Sequence, residues 1–166
     1  MIHVDELTPE AGQVLKYLVL HYTSEDRATF DQIEQNTKLH GMDLSDAIAE
    51  LEERNLVEEE HHHVRVLAHA WEVAGKEVVG FDVQADALEV ARATNDIQGK
   101  DEHGWVEAKQ LEEATGLSVD RLNTAALWLQ EEDKLTLLQT FGARPYAFSS
   151  AQARYQTRKW LRSQAV

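Results

Sequence analysis

The 166 residues include no cysteine. Disulfides, a thiolate nucleophile and a thiolate metal site are therefore excluded, and the composition fits a reducing cytoplasm. No apolar run approaches the ~20 residues that a membrane-spanning helix needs, so no membrane role is expected. The opening Met-Ile-His-Val-Asp-Glu-Leu lacks the basic region and apolar core of a secretory signal. Enzymatic motifs are missing too: there is no Gly-rich phosphate loop, no nucleophile elbow and no His-Glu-x-x-His. The pairs Glu52-Glu53 and Glu112-Glu113 fall on solvated helix faces. The expectation is a non-enzymatic protein without a cofactor.

Positive charge is also scarce. Sixteen Lys and Arg face thirty Asp and Glu, a net charge of −14. Binders of duplex DNA normally neutralise phosphates with Lys and Arg, so this balance speaks against a general DNA surface. The deficit is uneven. Residues 1–80 carry 17 acidic and 6 basic side chains, whereas residues 81–166 carry 13 and 10. From Lys134 to Val166 there is no acid at all, only Lys134, Arg144, Arg154, Arg158, Lys159 and Arg162. At 43% hydrophobic residues, the chain can still bury a core.

The clearest local signal is Trp105 to Leu135. Ala108, Leu111 and Ala114 share one helical face, Gly116 suits a sharp stop, and Ser118 suits an N-cap. Leu122, Ala125, Ala126 and Leu129 then mark the buried stripe of a second helix. This spacing predicts a helix-turn-helix.

The first half repeats the pattern. Thr8-Pro9-Glu10 predicts a helix start, with Val14, Leu15, Leu18 and Tyr22 as its stripe to about His21. A helix capped at Thr29 follows, burying Phe30 and Ile33, and then one from Met42 to Arg54, burying Leu44, Ala47, Ile48 and Leu51. The halves align without a gap at an offset of 78 residues: Ile33 answers Leu111, Thr37 Thr115, Leu39 Leu117, Leu44 Leu122, Leu51 Leu129 and Asn55 Asp133. Apolar runs at Val57 and at Val64, Val66 and Leu67 predict a hairpin with His61-His62-His63 near its tip. Leu135–Phe141 and Tyr146–Phe148 predict a second hairpin around a Gly/Pro turn. Glu77–Phe81 reads as a further strand, Ala85–Ile97 as the opening helix of the second copy, and Ser150–Leu161 as a closing helix.

Three helices followed by a hairpin, with Thr124–Leu135 and Ala47–Val57 running from the third helix towards the hairpin, resemble the winged helix-turn-helix superfamily, which includes many small prokaryotic regulators. The resemblance implies an α+β, mainly helical fold, with winged-helix domains in tandem at about 1–80 and 81–166. It also implies that any DNA would meet residues 42–54 or 119–131 and the turn near Gly142–Pro145. Some tandem winged-helix proteins bind other proteins instead.

The candidate residues divide along that line. The outward face of the third helix carries Ser45, Asp46, Ala49, Glu50 and Glu53, whose carboxylates suit a protein contact and repel phosphates. In the second copy, Asp120, Arg121, Asn123, Thr124, Leu127, Trp128 and Glu131 are expected to face outward. Arg121 and Asn123 are residue types that read base edges, and Thr124 lies beside them. Arg144, Arg154, Arg158, Lys159 and Arg162 form either a phosphate-tracking surface or a basic helix that docks on the acidic first half of its own chain or of a second chain. Leu127 and Trp128 mark either a partner surface or internal packing. Trp71, Trp105 and Trp160 are expected in the core or in helix docking. The histidine run suits a polar hairpin tip better than a metal site, since no motif of fixed spacing completes a ligand set. The function expected first is protein–protein interaction, with a partner protein or a second copy. The alternative is DNA-binding transcription regulation through the second copy.

Overall fold

The structure is a computed structural model, described here for residues 4–22, 26–139 and 145–164, apart from the side chains of residues 4 and 77. The chain is α+β and divides into two compact units, Met1–Asp82 and Val83–Val166.

In unit 1 a 3-10 turn (Val4–Glu6) leads to α1 (Pro9–His21), β1 (Arg27–Thr29), α2 (Phe30–Thr37), α3 (Gly41–Glu53), β2 (Val57–Glu60) and β3 (His63–Val66). Two short helices follow, α4 (His69–Ala74) and α5 (Lys76–Val79). Unit 2 runs α6 (Val83–Gln98), β4 (Val106–Glu107), α7 (Ala108–Thr115), α8 (Val119–Glu131), β5 (Thr136–Leu138), β6 (Ser150–Gln152) and α9 (Tyr155–Ser163). Each unit has an antiparallel three-stranded sheet whose last strand lies in the middle, β1-β3-β2 and β4-β6-β5.

The helix ends follow from capping chemistry. Thr8 caps α1, its hydroxyl oxygen accepting from the Ala11 N–H at 3.3 Å, with Pro9 at the first helical position. The Thr8 N–H and hydroxyl in turn donate to the Glu50 carboxylate at 3.0 and 2.9 Å, tying the start of α1 to α3. Val14, Leu15 and Leu18 of α1 are fully buried, as are Ile33 and Leu51.

The 78-residue offset recurs in three dimensions. Phe30–Thr37 answers Ala108–Thr115, and Gly41–Glu53 answers Val119–Glu131, each boundary shifted by 78. The Thr29 N–H donates to Gln32 Oε1 at 2.9 Å, and the Glu107 N–H to Gln110 Oε1 at 3.0 Å. Thr37 and Thr115 each donate their hydroxyl to the carbonyl four residues back, both at 2.7 Å. Lys38 and Gly116 end α2 and α7 in the left-handed region, at φ 63° and 70°. Asn55 and Asp133 follow α3 and α8 at φ 60° and 56°.

At Gly116 an added Cβ would meet nothing within 4 Å, so the dihedral and not crowding selects glycine there. Lys38 holds the equivalent conformation with a side chain, which the left-handed region penalises. Lys38→Gly should therefore stabilise unit 1 by about 0.5–1 kcal/mol after the larger unfolded-state entropy of glycine is counted. A urea midpoint measures this, and a lower midpoint would contradict it.

Several expectations need correction. Residues 76–79 form a helical turn, not a strand: Gly75 and Gly80, at φ 78° and 84°, reverse the chain on either side, and the Gly80 N–H closes the turn on the Lys76 carbonyl at 2.7 Å. The last strand is Ser150–Gln152 rather than Tyr146–Phe148, and the closing helix starts at Tyr155. The shift follows from Asn123, which fixes residues 145–147 by side-chain bonds, so sheet pairing begins only when the Ser149 N–H reaches the Leu138 carbonyl at 2.8 Å. Of the tryptophans expected in the core or in helix docking, Trp71 is buried and Trp105 is 43% exposed. Among the described residues, no helix is long and apolar enough to cross a membrane.

Candidate interaction surfaces

In unit 1, α3 packs on α1 through Leu44, Ala47, Ile48 and Leu51, which leaves the opposite face to solvent. Asp43, Asp46 and Glu53 are exposed on α3. Glu50 is half-buried and already committed to Thr8. Glu52 is committed too, accepting the Glu59 N–H at 3.0 Å. Of the expected partner-facing acids, Asp46 and Glu53 are therefore presented to solvent, and Glu50 serves the fold. Met42, at the start of the same helix, is 78% exposed.

The neighbouring hairpin balances its own charge. Arg65 meets Glu58 at 2.5 Å and Arg27 meets Glu60 at 3.7 Å. The hydrogen bond from Arg65 holds the Glu58 carboxyl below the usual carboxylate range. His61 and His62 form the turn, both with positive φ. The His62 ring stands edge-on to Phe30 at 4.9 Å, and His63 Nδ1 lies 2.9 Å from the His61 carbonyl. The run is thus spent on shaping the hairpin. Among the described residues, no group of three His, Asp or Glu could hold a metal ion.

The third helix of unit 2 differs from the sequence expectation. Leu122 to Leu129 are buried without interruption. Asn123, Thr124, Leu127 and Trp128, expected on an outward face, are therefore not presented to solvent. The amide of Asn123 bridges the 145–147 segment, donating to the Pro145 carbonyl at 3.1 Å and accepting from the Ala147 N–H at 2.8 Å. Thr124 donates to the Asp120 carbonyl at 2.9 Å. Trp128 packs against Trp160 of α9, ring centroids 6.1 Å apart, and Lys134 Nζ lies 5.6 Å from the Trp160 centroid.

Arg121 is clasped by Asp86 of α6. Its Nε and Nη2 donate to the two carboxylate oxygens at 2.9 and 2.6 Å, a bidentate pair. The Asp86 side chain is 6% exposed and that of Arg121 41%. The bond to Asp86 raises the Arg121 pKa above its ordinary value, so the guanidinium stays charged throughout. Asp86 was not singled out from the sequence, although an acid within the stripe Val83, Ala87, Val90 and Ala91 is a signal that a buried partner is required. Tyr146 also has an acidic partner: its hydroxyl donates to Glu112 at 2.7 Å, which raises its pKa.

Helix α9 and its N-cap Arg154 carry four of the remaining candidate cations. Thr157, fully buried, anchors it by donating to the Lys134 carbonyl at 2.5 Å. Arg154, Lys159 and Arg162 are exposed and Arg158 half-exposed. Arg154 Nε donates to Gln152 Oε1 at 3.1 Å, and Tyr155 beside it is 60% exposed. Arg144 lies outside the described residues.

Two surfaces of opposite charge result, an acidic face on α3 in unit 1 and a basic stripe on α9 in unit 2. The exposed carboxylates of the one and the cations of the other offer charge pairing and hydrogen bonding. Comparisons with protein-family models, with curated proteins and with solved structures found no match.

Proposed function

We propose that the chain is a non-enzymatic protein of two winged helix-turn-helix domains in tandem, acting through contact with protein and not by reading duplex DNA. Support for the winged-helix assignment is the order helix-strand-helix-helix-strand-strand in each unit, with the last strand central in each sheet.

The observation that carries the functional reading is the state of the two third helices. A winged-helix DNA reader needs free donors on that helix and cations around it. On α3 the exposed charged groups are all carboxylates. On α8 the candidate readers are consumed, Arg121 by Asp86 and Asn123 by the 145–147 backbone. One specific observation favours the alternative, a DNA-binding regulator: the basic stripe Arg154, Arg158, Lys159 and Arg162 on α9 stands in a run without acids.

Fluorescence anisotropy against random-sequence duplex separates the two, read at low salt and again at about 0.15 M. Protein-directed function is expected to show no micromolar binding at either. Binding that weakens steeply with salt and is lost in Arg158→Glu would replace it with the DNA reading.

A further inference from the structure

We propose that a cavity at the start of α9 is a binding site for inorganic phosphate. The inference goes beyond protein contact and lies wholly within unit 2. The cavity, of about 250 Å³, is lined by the loop before β4, the end of β6 and the first turn of α9. Two glutamine amides fasten its walls together. Gln98 of α6 donates to the Asp101 and Ala153 carbonyls at 3.0 and 3.1 Å and accepts the Ala153 N–H at 2.7 Å. Gln152, buried in β6, donates to the Gly104 carbonyl at 3.1 Å. The loop is thereby stitched to the strand end that leads into Arg154.

Exposed, unpaired charge is common on this chain. Arg154 and Arg158 differ in that both line one concavity. The buried Gln152 Oε1 accepts from Arg154 Nε at 3.1 Å, which fixes that guanidinium and leaves its two Nη groups for a ligand. Arg158, four residues on and so on the same side of the helix, spends no side-chain bond on a described residue. Paired guanidinium forks match the several oxygens of a phosphate. His103 adds an imidazole to the lining.

Glu102 lines the same cavity and selects among oxyanions. A carboxylate repels a bare anion but accepts a hydrogen bond from one that still carries a proton. Inorganic phosphate keeps an O–H at neutral pH, whereas sulfate and the phosphodiesters of a duplex have none. The volume also falls below the roughly 300–1,000 Å³ of drug-sized pockets, which suits a small ion better than a large cofactor.

Isothermal titration calorimetry of the full chain at neutral pH in about 0.15 M chloride tests this, with inorganic phosphate and, separately, sulfate each raised to about 20 mM. Phosphate should bind with a Kd of about 1 mM or tighter, and sulfate ~10-fold more weakly or worse. Arg158→Met, which removes no bond of the fold, should weaken phosphate ~10-fold or more with unchanged circular dichroism. Glu102→Gln should bring the two anions level, because the repulsion that excludes sulfate is gone. An unaltered chain that takes up no phosphate or binds sulfate equally well, or an affinity that survives Arg158→Met, overturns the proposal. Such a result leaves the protein-contact function standing, since only duplex binding removes that.

Discussion

Arg121→Met should cost unit 2 about 2–3 kcal/mol, because it strands the Asp86 carboxylate without its guanidinium. Losing one partner of a buried pair typically costs about 3–5 kcal/mol, and the partial exposure of Arg121 places this case at or below the lower end. The companion variant Asp86→Leu/Arg121→Met should lose less than about 1 kcal/mol, since no charge then remains to be solvated. Urea denaturation followed by tryptophan fluorescence measures both. If Arg121→Met is silent, Asp86 is solvated in the folded state, and Arg121 returns as a candidate for reading a ligand. The same pair of variants therefore separates a structural arginine from a recognition arginine.

Phe148→Ala should be more damaging, about 3–5 kcal/mol. Phe148 is fully buried yet lies outside any strand, in the segment between the Asn123 bridge and the first pairing of β6. Both flanking attachments fix the backbone, so the site has little freedom to collapse around a missing ring. Three of the four tryptophans, Trp105, Trp128 and Trp160, belong to unit 2, so fluorescence reports its unfolding. With a urea slope of ~1–3 kcal/mol per M, the midpoint should fall by at least ~1 M. A shift under a few tenths would mean that Phe148 is not part of the core.

What could be read from the sequence was local. Thr8, Thr29 and Ser118 announce helix starts because a hydroxyl caps within its own turn. Gly116 and Asn55 announce stops because few residues accept a positive φ. The acidic face of α3 was legible for the same reason, as a solvated stripe opposite an apolar one. What escaped depends on partners far along the chain. Asp86 and Arg121 are 35 residues apart, and Asn123 bonds to residues 22 and 24 positions away. Periodicity shows one buried face of a helix. It cannot show that a segment between the two hairpin strands and a closing helix cover others, and this is why Leu127 and Trp128 were expected to face outward.

The 78-residue register has a consequence for how the chain can change. From Thr29 to Asn55, and again from Glu107 to Asp133, the helix boundaries, the left-handed stops and the buried positions Ile33/Leu111, Leu44/Leu122, Ala47/Ala125, Ile48/Ala126 and Leu51/Leu129 keep step. One inserted residue inside α3 or α8 would turn everything downstream by about 100° and carry the apolar stripe off its neighbours. The segment is therefore length-locked, while the residue types on its outer faces are not. Descent from one duplicated ancestor would leave this pattern: a spacing frozen in both copies, and surfaces free to diverge until one turned acidic and the other withdrew into its own interior.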